Sequence, residues 1–244
     1  MAHYLEEKGL GSVNSPTEIA GPVDGIIVRS HGATPEVLEQ LRQKGIHLRD
    51  ATCPLVKRIH EIVTSLRGEG YDIVIFGDNN HPEVEAILGW CNNEATVIAD
   101  ANQAERLPYV ERRGLVSQTT KDENEYIKIA AALLDRSYET RVFKTVCVAT
   151  RQRQKAARDL CQQVELMLVV GDRNSSNTAT LTRECQNTGV RTHLIQKAED
   201  IDKDWLKGVS RAGITAGAST PDWIIKEVMD RMTGYEEKDT QNLA

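Results

Sequence analysis

The stretches YDIVIFGDNNHPEVEAIL (71–88) and ELMLVVGDRNSSNTATL (165–181) share one plan. Each opens with a nearly unbroken apolar run, reaches a Gly-Asp pair, crosses a short polar segment and enters a helical pattern. A strand that is apolar on both of its alternating faces must be covered on both, and strand followed by helix is the signature of a parallel sheet. Working outward, GIIVRS (25–30), RGLVSQ (113–118) and RAGITAG (211–217) read as further strands of this kind. Helical patterns occupy 35–44, 54–68, 82–90, 121–135, 151–164, 176–187 and 221–232. The fold class is therefore α/β, built from repeated small parallel-sheet domains.

Composition limits the rest. The 244 residues include 40% hydrophobic and 27% charged side chains, enough apolar surface for a core and too much for wholesale disorder. No apolar run is long enough to span a membrane as a helix. The opening MAHYLEEKGL lacks a basic-then-apolar leader, which points to the cytoplasm. Thirty basic against 36 acidic residues give a net charge of −6, so the expectation is no nucleic acid and no membrane partner, with a local phosphate site still open. Neither GxGxxG nor GxxxxGK[ST] occurs, which removes the common nucleotide loops.

Several strands end in polar loops that start the next helix: RSHGATPEV (29–37), GDNNHPEVE (77–85), SQTTKDEN (117–124), GDRNSSNTA (171–179) and AGASTPDW (216–223). Pro35, Pro82 and Pro221 suit a first helical turn, where a missing N–H costs nothing. In open α/β sheets ligands bind beyond the carboxyl ends of strands, where helix N-termini offer free N–H groups. Ser, Thr, Asn and His at these places also serve as ordinary caps, and for any single loop that reading suffices. A cap needs one such residue, however, and runs such as Asn79-Asn80-His81 and Asn174-Ser175-Ser176-Asn177 supply several, as an anion site would.

Five cysteines without a CxxC pair are neither a disulfide framework nor a zinc ribbon. Cys161 and Cys185 fall inside helices and Cys91 ends one, as small buried hydrophobes do. Cys53 and Cys147 each stand at a strand's end before a helix, where a thiol gains metal-binding or nucleophilic character. Their similar distances before the two repeated stretches put domain boundaries near 53 and 147. The expected division is 1–52, 53–146 and 147–234, with a polar tail over 235–244. Glu83, in the HPE tripeptide behind His81, reads equally as a candidate general acid or as a capping carboxylate. His3, His47, His60 and His193 have no comparable context.

Seven strings, HGATPEV, DATCPLVKRIH, GDNNHPEVEAILGW, VSQTT, VCVATRQRQ, GDRNSSNTATL and GITAGASTPDW, occur in one order between residues 31 and 223. In this they resemble the LytB family, the 4-hydroxy-3-methylbut-2-enyl diphosphate reductases of the non-mevalonate isoprenoid pathway. The resemblance implies three similar α/β domains around a 4Fe-4S cluster held by three cysteines, two of them matching Cys53 and Cys147. It implies an allylic diphosphate substrate that loses water reductively to give isopentenyl and dimethylallyl diphosphate, with electrons from a donor such as ferredoxin or flavodoxin. Glu83 matches the family's proton donor and Thr119 the hydroxyl that relays the proton. His31, His81, Ser175, Ser176, Asn177 and Ser219 match its diphosphate ligands.

The family's glycine-rich opening segment, which carries its first cysteine, has no counterpart here. The family's next features, a helix and a further diphosphate-binding histidine, are not matched either, and the opening AHYLEEKGL resembles the family's sequence just after that histidine. The expectation is therefore a first domain represented only by residues 1–52 and a less firmly held cluster. A non-catalytic remnant that binds diphosphate or a protein is the alternative reading.

Overall fold

A computed structural model describes residues 8–241, in which the sequence divides into two compact units, Met1–Cys147 and Val148–Ala244. His3 lies outside the described residues. In the first unit, β1 (Ile26–Val28) and β2 (Leu48–Asp50) pair in parallel, joined by α1 (Pro35–Gln43). Helix α2 (Pro54–Gly68) leads to a second sheet made of β3 (Asp72–Phe76), β4 (Ala95–Ile98), β5 (Val110–Ser117) and β6 (Ser137–Val142). Between these strands run α3 (Pro82–Trp90), α4 (Ala101–Glu105) and α5 (Glu123–Leu134). All four strands are parallel, in the order β4-β3-β5-β6.

The second unit begins with α6 (Val148–Cys161) and contains β7 (Leu166–Val170), α7 (Ser176–Asn187), β8 (Arg191–Ile195), β9 (Ala212–Ala216) and α8 (Asp222–Gln241). Its three strands are also parallel, in the order β8-β7-β9. In both the four-stranded and the three-stranded sheet the first strand in sequence lies inside, the second joins one side of it and the third the other. The chain thus reverses direction across β3/β5 and across β7/β9, and loops after those strands border a crevice where ligands bind in open α/β sheets.

The apolar runs lie at the sheet centres, as their composition requires. Ile73 and Ile75 of β3 face a cluster with Ile59, Val63 and Leu66 of α2 and Val84 and Ile87 of α3. Val74 and Phe76 point the other way, into Tyr126, Ile129 and Leu133 of α5. In the second unit Leu166, Leu168 and Val170 pack on one side and Met167 and Val169 on the other. Leu168 is fully buried. Leu168→Ala removes three carbons from a close-packed site and should cost about 3 kcal/mol. A lower urea midpoint with an unchanged denaturant slope is the expected measurement.

Some local readings shift. Helix α6 starts at Val148 rather than at 151, so Cys147 directly precedes it. Strand β6 ends at Val142, five residues before Cys147. The intervening residues still follow β5: the Phe143 N–H donates to Leu115 O, Thr145 Oγ accepts from the Ser117 N–H at 2.7 Å, and the Cys147 N–H donates to Thr119 O at 2.9 Å. A side-chain hydroxyl interrupts the regular ladder, which ends the strand without ending the alignment. Pro221 stands one residue before α8. That helix continues to Gln241, through most of the stretch expected as a polar tail; YEEKDTQ contains no glycine or proline and is rich in helix formers. Residues 242–244 lie outside the described residues.

Candidate active site

At the β3/β5 switch, the two loops meet through side chains. Gln118, fully buried after β5, accepts from the Asp78 N–H at 3.0 Å and donates from Nε2 to Thr120 Oγ. Lys121 pairs with Asp78 at 2.5 Å. These contacts fix Thr119 beside the start of α3. The Thr119 N–H donates to Glu83 Oε1 at 2.5 Å, and its hydroxyl to Oε2 at 2.9 Å. Glu83 is 2% exposed and Thr119 8% exposed. Burial raises the Glu83 pKa, because desolvation penalises the carboxylate; the two Thr119 hydrogen bonds pull it back in part. The result is a carboxyl group with more proton affinity than an ordinary glutamate, set where α3 begins beside the loop that follows β5.

His81 caps α3. Its Nδ1 accepts from the Glu83 N–H at 3.1 Å, which assigns the proton of the neutral ring to Nε2. The His31 ring meets the His81 ring edge-on, with centroids 5.2 Å apart. Burial lowers the pKa of both, and Arg29 adds to the effect on His31. At His81 the charges of His31 and Lys121 act in the same direction and Asp78 opposes them. His31 Nδ1 is buried with no hydrogen-bond partner within the protein, as expected of a group whose partner is a ligand. A cavity of about 360 Å³ opens beside it, with Arg29, Thr34, Asn80 and Glu85 in its wall. Glu83 does not line that cavity.

Both non-core cysteines are attached to this cluster through the backbone. The Cys53 N–H donates to Ser30 O at 3.0 Å, next to His31, and Cys53 occupies the N-cap of α2. Cys147 is held by Thr119, as described above. Both thiols are half-buried, whereas Cys91, Cys161 and Cys185 lie inside the hydrophobic clusters. Burial pushes Cys91 up to about 11 and Cys185 up to about 12, the latter helped by contact with Cys161.

The first unit therefore brings together His31, His81, Glu83, Thr119, Cys53 and Cys147 through one chain of contacts. Ser175, Ser176, Asn177 and Ser219 belong to the second unit, at the carboxyl ends of β7 and β9. Ser175 caps α7, its Oγ accepting from the Thr178 N–H at 3.3 Å. Asp172 Oδ1 accepts from the Asn174 N–H and shapes the turn before it. Asn177 is buried, and its Nδ2 has no protein partner. Ser219 is exposed. A cavity of about 380 Å³ nearby is lined by Arg153, Thr215, Gly217, Ala218 and Thr220.

Sequence reasoning passed over His60. It is 5% exposed and stacks on Trp90, with ring centroids 5.1 Å apart and planes 15° from parallel. The available signal was helical phase: His60 falls in register with Val56, Ile59 and Val63 on the buried face of α2. Burial lowers its pKa from 6.5 to about 4; Asp50 raises it and Lys57 lowers it. Below pH 6.5 the unfolded chain takes up a proton that folded His60 refuses until about pH 4. Its contribution to stability is thus complete above 6.5 and lost as pH falls between those values, on the order of 3 kcal/mol. Melting temperatures from pH 7 down to 4 should fall along a slope that His60→Phe flattens.

A family model described as LytB protein matches residues 1–233. A protein of Caldanaerobacter subterraneus subsp. tengcongensis named 4-hydroxy-3-methylbut-2-enyl diphosphate reductase is 41% identical over 236 residues, covering 96% of this chain and 82% of that one. Its namesake in Citrifermentans bemidjiense is 42% identical over 233 residues, with the same two shares. Among solved structures, the Plasmodium falciparum E-1-hydroxy-2-methyl-but-2-enyl-4-diphosphate reductase superposes with a TM-score of 0.85 at 27% identity, over 93% of this chain and 73% of that one. A second, described as (E)-4-hydroxy-3-methyl-but-2-enyl diphosphate reductase, the terminal enzyme of the non-mevalonate pathway, gives 0.63 at 39% identity, over 95% and 84%. With nearly the whole sequence matched, and the parallel α/β plan shared with both solved structures, the chain belongs to the LytB family.

Proposed function

We propose that this chain reduces 4-hydroxy-3-methylbut-2-enyl diphosphate, the substrate for which its relatives are named, to isopentenyl and dimethylallyl diphosphate. The conversion takes up two electrons and two protons, breaks one carbon–oxygen bond, forms one carbon–hydrogen bond and releases water. The observation that carries this reading is the Glu83–Thr119 pair: a buried carboxyl group of raised proton affinity, bound at both oxygens by one residue, at the switch point of the sheet. Such a group holds a proton where an alcohol oxygen must leave as water rather than hydroxide. Thr119 orients the carboxyl group, and its hydroxyl can pass the proton on.

His31 and His81 serve the diphosphate. The Nε2–H of His81 is the free donor of a ring whose other nitrogen is occupied by the cap, and the unpartnered Nδ1 of His31 adds a second contact. Neutral donors and a helix N-terminus bind an anion without a basic surface, which reconciles a phosphorylated substrate with a net charge of −6. The same role is proposed for Ser175, Ser176, Asn177 and Ser219, from the resemblance and from the polar, partly unpartnered chemistry of their loops. On the same reading, the three sheets represent three repeats of one α/β plan over 1–52, 53–146 and 147–234.

The electrons call for an iron–sulfur cluster. Cys53 and Cys147 suit it: soft ligands, half-buried, and tied through Ser30 and Thr119 to the residues around Glu83. Cys91, Cys161 and Cys185 are committed to the cores. Among the described residues no group of three His, Cys, Asp or Glu side chains converges to hold a metal, so those residues supply part of the ligand set. A bound cluster would supply electrons one at a time, drawn from a small donor such as ferredoxin or flavodoxin.

Anaerobic reconstitution of the full chain with iron and sulfide, followed by the allylic diphosphate and a reduced viologen, tests the reading. Formation of both five-carbon diphosphates is the expected result. A stably loaded protein that leaves the substrate unchanged would overturn it. A protein that takes up no iron yet binds pyrophosphate would replace it with diphosphate binding alone.

A further inference from the structure

We propose that His60 is a positioning residue for His31, acting through the loop 31–34, which it holds together with Trp90 and Gly89; this rests on the assignment of His31 to the diphosphate. Three consecutive residues after His31 each lie against a different support. Gly32 has φ +80°, and a β-carbon there would stand 2.7 Å from His60 Cε1 and 3.3 Å from its Nε2. The backbone therefore lies directly on the imidazole, in a conformation that favours glycine. The carbonyl of Ala33 accepts from Trp90 Nε1 at 3.1 Å. Thr34, which caps α1, lies against Gly89, where a β-carbon would come within 2.6 Å of Thr34 Cβ.

These supports form one assembly. His60 stacks on Trp90, and Thr64 Oγ, one turn along α2, donates to Trp90 O at 3.0 Å. Trp90 ends the helix that His81 begins. Nine residues of helix span about 13 Å, and residues 31–34 can reach at most about 10 Å. The loop thus runs along α3, with His31 on His81 at one end and Ala33 and Thr34 on Trp90 and Gly89 at the other. Spacing between the two imidazoles is set by where the far end of the loop is pinned, and His60 is the surface on which it turns. A larger ring at residue 60 keeps the stack but pushes Gly32 away, carrying His31 off His81.

The test is calorimetric affinity for inorganic pyrophosphate, measured on the full chain and on His60→Phe, Trp90→Phe, His31→Ala and the His60→Phe/His31→Ala pair. His60→Phe should weaken binding about tenfold, since displacements of an ångström at a binding group have effects of this order or larger. Trp90→Phe, which removes the hydrogen bond to Ala33 and part of the ring stacked on His60, should weaken it about threefold. In the His31→Ala background His60→Phe should have no further effect on affinity, although it still lowers the melting temperature. That loss of additivity separates positioning from a merely structural role. His60→Phe should also shift the ring resonances of His31 in the proton–carbon NMR spectrum.

Multiplying losses in the double variant would overturn the proposal, as would parental affinity in both His60→Phe and Trp90→Phe while His31→Ala binds poorly. Should His60→Phe not fold, Trp90→Phe decides. Undiminished binding by His31→Ala would instead overturn the assignment of His31 to the diphosphate.

Discussion

Glu83→Gln should lower turnover by roughly 10²- to 10⁴-fold, the range for a lost general acid, while pyrophosphate affinity stays within about twofold. Glutamine keeps the length of the side chain, an acceptor for the Thr119 N–H and, in its NH2 group, a donor to the Thr119 hydroxyl, so the loop geometry around 78–83 should survive. What it removes is the transferable proton. A simple weakening of substrate binding would raise KM and leave kcat alone; loss of proton delivery lowers kcat and kcat/KM together. Thr119→Val should act in the same direction more mildly, because the backbone N–H of residue 119 still reaches Glu83. An unchanged turnover in Glu83→Gln would remove Glu83 from the chemistry.

Cys147→Ser should lower the iron and sulfide retained after anaerobic reconstitution by about tenfold or more, since loss of outer-shell partners alone typically costs roughly 10- to 100-fold in metal affinity. An alcohol side chain is harder than a thiolate and does not ionise near neutral pH, so it cannot replace a soft ligand to iron. Cys53→Ser should behave alike. Cys91→Ala is the contrasting control: a fully buried thiol in the cluster between α2, α3 and β3, its removal should reduce stability and leave iron binding alone. Iron content and visible absorption read this outcome without reference to turnover. Retention of iron by Cys147→Ser would exclude Cys147 as a ligand.

The sheet centres were legible because strands covered on both faces have no polar alternation to hide them. LMLVV and DIVIF declare themselves. Three edge strands did not: ATVI (β4), SYETRV (β6) and RTHLI (β8) mix exposed and half-buried positions and blend with the adjoining loops. The short helix α4 has too few residues for a period. At the site, residue types at strand ends were readable, since four polar residues stood where a cap needs one. What could not be read was which loops meet. Thr119 reaches Glu83 because β5 pairs with β3, whereas sequence order would place β4 there, and strand order is settled by packing across the whole sheet. His60 was hidden for a similar reason. A histidine on the core face of α2 looks like any interior residue until the loop resting on it is seen.

On the role proposed for Glu83, its deep burial has a consequence for the return half of the cycle. A carboxyl group that gives up its proton here is left as an anion that bulk water barely touches, with the Thr119 hydroxyl on one oxygen and the Thr119 N–H on the other. Recharging it requires a hydrogen ion to arrive through that hydroxyl or through the mouth vacated by product. Proton retention and product departure would then be coupled: the same burial that keeps a proton on Glu83 slows its replacement until the site empties.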